Sequence, residues 1–365
     1  MKPNRALVIS VAFTLLLTLG GILTWLLPDR TLSENENRYL QTAPSLTFER
    51  LLNGTYQEEL TAYMNDQFPL RDVWTATGSL VKKALGQRDI GGAFLGKNGW
   101  YFEKITDTDI SESRYTRNLE LLNLFAQQNP SLSLTVMPVP SAGTVLPEQL
   151  PTAAPLYNAT RLYTVAQELL ENDVLLDLRV PLTEAAANEQ VYYRTDHHWT
   201  TAGAAVAYTA LTGKEAPPRT KVSSSFLGTL YSDTLDLAAT PDCVEIATVP
   251  STVTAEADGV LVPVYDTKAL QEKDQYRVFL GGNHGKVVLT GGCQNGKTLL
   301  IVKDSFANCL APMLTNDYET VVLLDLRYYN QSVQQLLTEI TVSDMLVCYE
   351  LNKLANDQNL PKLLQ

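Results

Sequence analysis

Thr298-Leu299-Leu300-Ile301-Val302-Lys303-Asp304-Ser305-Phe306-Ala307 is an unbroken apolar run that ends in a charged pair, a serine and the start of a helical stretch. A short apolar run without polar alternation suits a strand buried on both faces, as in parallel sheets. Tyr276–Leu280, Thr320–Leu326 and Met345–Tyr349 have the same character, and helical stretches at 306–314 and 331–340 separate the last three strands. Upstream, a helix at about 114–128 precedes a strand at Leu132–Val139, and a second at about 158–172 precedes Val174–Leu178. This alternation predicts an α/β protein built as a three-layer α/β/α sandwich with a mainly parallel sheet.

In such a sheet ligands bind at the carboxyl ends of the strands. Ser305 falls there, where helix N-terminal amides can stabilise a developing oxyanion, although serine at this point is also a common helix N-cap. A partner is offered by Tyr192-Tyr193-Arg194-Thr195-Asp196-His197-His198-Trp199-Thr200-Thr201, which holds two of the chain's three histidines. In an extended segment Asp196 and His198 point to one side and His197 to the other. Asp196 can then fix the His198 tautomer and leave one ring nitrogen free to take a proton. A histidine pair satisfied in a turn fits the same spacing. Thr200 or Thr201 caps a helix at Ala202–Leu211.

Three further segments reach the same edge. Gly281-Gly282-Asn283-His284-Gly285 allows close backbone approach at Gly282 and a second oxyanion donor at Asn283, or simply a glycine turn. Arg327 closes the next strand as a substrate contact or a structural ion pair. Trp199, with Trp100 and Tyr101, can stack on sugars or fill the core. Asp196, His197 and His198 can also coordinate a divalent ion, but His284 is the only other histidine and no second histidine or carboxylate motif accompanies it at metal-ligand spacing, so no metal or other cofactor is expected.

The net charge of −12 and the lack of a basic stripe argue against a nucleic-acid partner. Ala6 to Leu27 carries no charge, and about 22 residues at about 1.5 Å each reach roughly 33 Å as a helix, the thickness of a bilayer core. Lys2 and Arg5 before it place residues 28–365 outside the cytoplasm. Residues 1–27 are therefore expected to be an uncleaved signal anchor, with cleavage near Thr18-Leu19-Gly20-Gly21 as the rival. Residues 28–50 read as a juxtamembrane linker and 51–365 as the extracytoplasmic body, with an irregular insertion at 213–275. Phe48 to Leu85 reads as mainly helical, and Gly91 to Phe102 as two short strands around an Asn-Gly turn. Of the four cysteines, Cys309 and Cys348 sit in apolar runs as buried thiols, and a Cys243–Cys293 bridge is conceivable.

The chain resembles the DHHW protein family of Gram-positive bacteria. The resemblance rests on Asp196-His197-His198-Trp199 together with Glu36-Asn37-Arg38, Asp66-Gln67-Phe68-Pro69-Leu70-Arg71, Gly96-Lys97-Asn98-Gly99-Trp100, Phe226-Leu227-Gly228-Thr229-Leu230-Tyr231, Gly281-Gly282-Asn283-His284 and Lys303-Asp304-Ser305-Phe306-Ala307-Asn308. That family is similar to the alginate O-acetyltransferases, whose fold is SGNH hydrolase-like. Their Asp-x-His-Trp motif corresponds to Asp196, His198 and Trp199, and their catalytic serine to Ser305. The second histidine, His197, departs from that pattern, and its role is open.

The resemblance implies a serine-dependent O-acetyltransferase or acetylesterase. It would act on a surface polysaccharide or cell-wall glycan and receive its acetyl groups from a multispanning membrane acyltransferase. Ser305 would be the nucleophile, His198 the base and Asp196 its orienting group, with Ser305 N–H and Asn283 as oxyanion donors. Arg327, Trp199, His197 and Gly282 would line the substrate. Against this stand a non-catalytic glycan-binding or scaffold protein that keeps the fold, and a metal-dependent hydrolase.

Overall fold

The computed structural model describes residues 5–36, 38–171 and 174–365; Met1 to Asn4, including the Lys2 used above, Asn37 of the Glu-Asn-Arg motif and the end of the helix expected at 158–172 lie outside them. Contacts divide the chain into two units, residues 1–87 with 232–238, and residues 88–231 with 239–365.

The larger unit contains seven strands in one sheet: β1 (Ser133–Val139), β2 (Thr254–Ala257), β3 (Val260–Val262), β4 (Lys286–Thr290), β5 (Thr298–Lys303), β6 (Thr320–Leu324) and β7 (Asp344–Glu350). Their spatial order is β3-β2-β4-β6-β5-β7-β1. The run β6-β5-β7-β1 is parallel, whereas β3/β2, β2/β4 and β4/β6 pair antiparallel. The sheet is thus mixed rather than mainly parallel. One of these pairings has a local cause: Asp258 and Gly259 both take positive φ (48° and 86°), which closes a tight hairpin between β2 and β3. Part of the 213–275 stretch expected to be irregular is therefore sheet, and Arg219–Phe226 pairs with Asp242–Ala247 in a second ribbon.

Two other predicted strands are not formed. Gln275–Val278 is a 3₁₀ turn, and the chain then bends through positive φ at Leu280, Gly281 and Gly282. Val174–Leu178 contributes a single parallel bridge, Leu175 to Val136.

The parallel strands are apolar on both faces, as two-sided burial demands. Leu299 and Ile301 of β5 join one core cluster with Val321, Leu323, Leu346 and Cys348, under the helices Thr201–Thr212 and Ala307–Leu314. Leu300 and Val302 join the opposite cluster with Val322, Leu324, Met345 and Val347, under Glu112–Gln128, Ala159–Leu169, Val333–Glu339 and Leu351–Asn356. Each such side chain, fully buried, stabilises the fold by roughly 2 kcal/mol, and the period-two alternation fixes the register. Cys309 and Cys348 are buried thiols; Cys243 and Cys293 are also free, so the conceivable bridge is not formed.

The smaller unit carries the helix Arg5–Leu26, long and apolar enough to cross a membrane by length and composition. Its end packs Trp25 against Tyr63, ring centroids 5.1 Å apart, and the Tyr63 hydroxyl donates to the Thr24 carbonyl at 3.2 Å. Part of the expected linker is ordered: Leu32–Ser33 pairs with Arg38–Tyr39, and the Arg38 guanidinium grips Asp66 through two nitrogens. Helices follow at Phe48–Leu52, Thr55–Gln67 and Arg71–Ala84.

Candidate active site

The serine loop is built by its neighbour. Asp304, just past β5, accepts the Phe306 N–H at 3.0 Å on one oxygen and the Glu350 N–H at 2.8 Å on the other, while its own N–H donates to the Cys348 carbonyl. This turn ties the ends of β5 and β7 together and holds Ser305 at the carboxyl edge of the sheet, ahead of the helix Ala307–Leu314. Fully buried Asp304 has its carboxyl pushed above the usual range by that burial, against the lowering effect of the two backbone donors.

The Asp-His-His-Trp segment comes from a series of bends rather than an extended strand. Asp196 Oδ1 accepts from the His198 backbone N–H at 3.0 Å and contacts its Nδ1 at 2.6 Å. Asp196 Oδ2 accepts from the Thr229 N–H at 2.8 Å and hydroxyl at 3.0 Å. Burial alone would raise this carboxyl, but the two histidines and these donors outweigh it and hold Asp196 well below the carboxylate range. The carboxylate therefore assigns the Nδ1–H tautomer to His198, which leaves Nε2 as an acceptor. His198 Nε2 lies 2.7 Å from Ser305 Oγ. Burial, then the neighbouring His197, push the His198 pKa down to about 4 against the pull of Asp196, so the ring is neutral near pH 7.

The ring is clamped. Tyr276 stacks on it at 3.8 Å and 10°, and the Tyr276 hydroxyl donates to the Ser305 carbonyl at 3.2 Å. On the other side His197 lies 3.9 Å from His198, with its Nδ1 2.9 Å from the Thr229 hydroxyl. The expectation that His197 points away is thus corrected: in a bent rather than extended backbone the i, i+2 alternation does not hold. Gly228 matters by what it lacks, since a Cβ there would run into the Asp196 carboxylate.

Asp196, His197, His198, Gly282, Asn283, Ser305 and Arg327 line one cavity of about 570 Å³. Asn283 Oδ1 accepts from Asn308 Nδ2 at 3.0 Å and from Lys303 Nζ at 3.4 Å, which sets the amide with its own NH₂ turned from these donors. Lys303 itself is buried, its ammonium pushed down by that burial against the opposing Asp325. Arg327 is an ion-pair residue first: Nε and Nη2 bond the Asp325 carboxylate at 2.8 and 2.6 Å. Trp199 does not reach the cavity. It is 0% exposed and donates Nε1–H to the Phe306 carbonyl at 3.0 Å, so it braces the serine loop from within the core and cannot stack on a sugar.

Three participants escaped the sequence reading. Nothing in the sequence flags Tyr276. Asp242 accepts the Arg194 and Thr195 N–H groups and the Thr195 hydroxyl, and so shapes the bend before Asp196. Thr229 stood in a quoted motif, where its position after glycine was a signal, without an assigned role. As a metal set, Asp196, His197 and His198 bring one ligand atom each within 4.8 Å of one another. Both His198 nitrogens and both Asp196 oxygens are engaged by the bonds above, so an ion there would displace part of the Asp196–His198–Ser305 chain.

Residues 93–293, more than half of the chain, match the family profile of the SGNH hydrolase-like domain of the acetyltransferase AlgX. The chain belongs to this family. A probable alginate O-acetylase AlgJ from Pseudomonas putida is 31% identical over 169 residues, 44% of this chain and 43% of that protein. A second, from Pseudomonas syringae pv. tomato, is 28% identical over 165 residues, 43% of this chain and 42% of that protein. The chain thus spans less than half the length of these curated relatives. Among solved structures, a DHHW family protein from Eubacterium siraeum shares the fold with a TM-score of 0.61 at 23% identity, over 74% of this chain and 94% of that one. Bacillus cereus PatB1 with a sulfonyl adduct does so with a TM-score of 0.60 at 21% identity, over 72% and 96%. The DHHW and alginate-acetylase likeness read from the motifs agrees with these findings.

Proposed function

We propose that the protein is a membrane-anchored, extracytoplasmic O-acetyltransferase or acetylesterase acting on a surface polysaccharide or cell-wall glycan, with a multispanning membrane acyltransferase supplying the acetyl group. The observation that carries the reading is the unbroken chain from Asp196 Oδ1 to His198 Nδ1 (2.6 Å) and from His198 Nε2 to Ser305 Oγ (2.7 Å). Family membership and the names of the alginate O-acetylase relatives support the acetyl chemistry.

Ser305 Oγ attacks the carbonyl carbon of the acetyl donor while its proton passes to His198 Nε2. The oxyanion is held by the Ser305 N–H and the Asn283 amide, and Asp196 stabilises the imidazolium. His198 then gives the proton to the departing donor oxygen, leaving acetyl-Ser305. An acceptor hydroxyl, from sugar or water, attacks the acetyl carbon; its proton goes to His198 Nε2 and from there to Ser305 Oγ as the ester forms. Arg327, Gly282 and His197 line the approach.

The test uses the full chain in detergent, a chromogenic acetyl ester and a sulfonyl fluoride, with adducts located by mass spectrometry. Modification of Ser305 that is lost in His198→Ala, and loss of turnover in both Ser305→Ala and His198→Ala while both variants remain folded by thermal unfolding, are the expected results. Full activity in either variant removes the serine mechanism. A folded sample with neither adduct nor turnover supports the glycan-binding scaffold instead.

A further inference from the structure

Glu350 is the fully buried last residue of β7, and it lines the Ser305 cavity together with Lys353. Its N–H is the one bonded to Asp304, so its backbone is locked to the residue before the serine. Beneath the cavity it also borders a narrow slot with His197, Glu103 and Tyr157. No hydrogen-bond donor reaches either Glu350 carboxyl oxygen among the described residues, and the one side chain it meets at hydrogen-bonding range is another carboxyl, Glu103. A buried carboxyl that meets no donor is destabilising in itself, so its presence in the lining of a reactive cavity points to a ligand.

We infer that this carboxyl, backed by Glu103 and Lys353, is the acceptor subsite, and that the acceptor it selects is a hydroxyl of an uncharged sugar. The inference rests on the Ser305 reading above and adds the substrate class. Burial, then the adjacent Glu103 carboxylate, hold Glu350 well above the usual carboxylate range, with Lys353 opposing. As a neutral acid that shares its proton with Glu103, it keeps acceptor capacity free for a hydroxyl group to donate to.

The charge inventory disfavours an acidic sugar. Each cation lining the cavity is already paired: Arg277 with Glu272 at 2.7 Å, Arg327 with Asp325 at 2.6 Å, and Lys353 with Glu103 at 4.0 Å. A uronate carboxylate entering here finds no unpaired cation among the described lining residues, and Asp274 and Asp304 line the same cavity. Like charge disfavours an acidic sugar there.

The test gives the full chain in detergent 4-nitrophenyl acetate as donor, with chitopentaose, cellopentaose or a mannuronate pentamer as acceptor. Nitrophenolate release reports acetylation of the enzyme, and mass spectrometry reports acetylated sugar. The neutral pentamers are expected to be acetylated at least about tenfold better than mannuronate, one hydrogen-bonding group's worth of discrimination or more. Glu350→Met should lower transfer about tenfold through the acceptor KM while hydrolysis without sugar stays within about twofold and the thermal midpoint holds or rises. Glu350→Gln, which keeps a donor and an acceptor, should retain most transfer.

Wild-type transfer in Glu350→Met, an equal fall in hydrolysis, or mannuronate accepted as well as the neutral sugars would each overturn the inference. If Glu350→Met does not fold, the acceptor preference of the unaltered protein decides alone. Nitrophenolate release with no sugar product at all defeats this inference and leaves the Ser305 reading standing. Absence of nitrophenolate release defeats that reading as well.

Discussion

Asp196→Asn isolates the step on which the mechanism depends. The carboxylate accepts four bonds, two from His198 and two from Thr229, at 2.6 to 3.0 Å. Asparagine offers one acceptor oxygen and one NH₂. With the NH₂ toward His198 it faces a backbone N–H and turns Nδ1 into an acceptor, so the ring proton moves to Nε2 and points at Ser305 Oγ. No base then remains. With the NH₂ toward Thr229 it meets another backbone N–H that cannot accept. The first orientation is the catalytically silent one, and in the general serine triad the wrong tautomer lowers kcat by about 10⁴, or roughly 5.4 kcal/mol at 1.36 per decade. Loss of a charge-assisted bond should also remove about 2 kcal/mol of stability, a shift of several degrees in Tm for a domain of this size. The assay is the second-order rate of Ser305 labelling by a sulfonyl fluoride, read beside acetyl-ester turnover and thermal unfolding. Thr229→Val keeps the backbone donor and serves as the control, with a loss of about tenfold or less. Labelling of folded Asp196→Asn within about tenfold of the unaltered protein would refute the tautomer argument.

Acyl-enzyme formation should stay constant from neutral pH down to about 5 and fall through about 4, where His198 protonates, rather than near an ordinary imidazole value; an acid limb near 6.5 contradicts the buried neutral ring. Because this pKa is depressed in the folded state, its contribution to stability is complete above about 6.5 and is lost as pH falls through 4. The contribution is about 3 kcal/mol, checked by urea unfolding across that range. Asn283→Ala should reduce kcat about 10² to 10³ with little change in KM, as loss of an oxyanion donor does; an effect confined to KM would make Asn283 a binding residue. Trp199→Phe should cost about 1 to 2 kcal/mol in Tm-derived stability by orphaning the Phe306 carbonyl, with glycan affinity unchanged in calorimetry.

What the sequence disclosed and what it hid divide along a physical line. Leu299 to Val302 announces a two-sided strand because burial on both faces leaves no room for polar alternation, and Ser305 follows at the edge where an α/β sheet must place its chemistry. Asp196 and His198 were legible because they stand two positions apart. His197 was misplaced because the periodicity argument presumes an extended backbone, and the bend before Asp196 is imposed by Asp242, more than forty residues downstream. The antiparallel half of the sheet was marked by Asp258-Gly259, a hairpin signal lost inside a polar stretch that reads as irregular. Tyr276 lies in a segment whose apolar run reads as a strand, whereas the positive φ values from Leu280 to Gly282 bend the chain away from the sheet and leave the ring flat against His198. Contacts of that kind are made between segments tens of residues apart, so no local pattern encodes them. The same holds for Glu350, which the sequence presents as the polar end of an apolar strand. Only the meeting of β7 with the serine loop turns it into a buried carboxyl in the lining of a reactive cavity, which makes the choice of acceptor a property of the assembled sheet edge rather than of any motif.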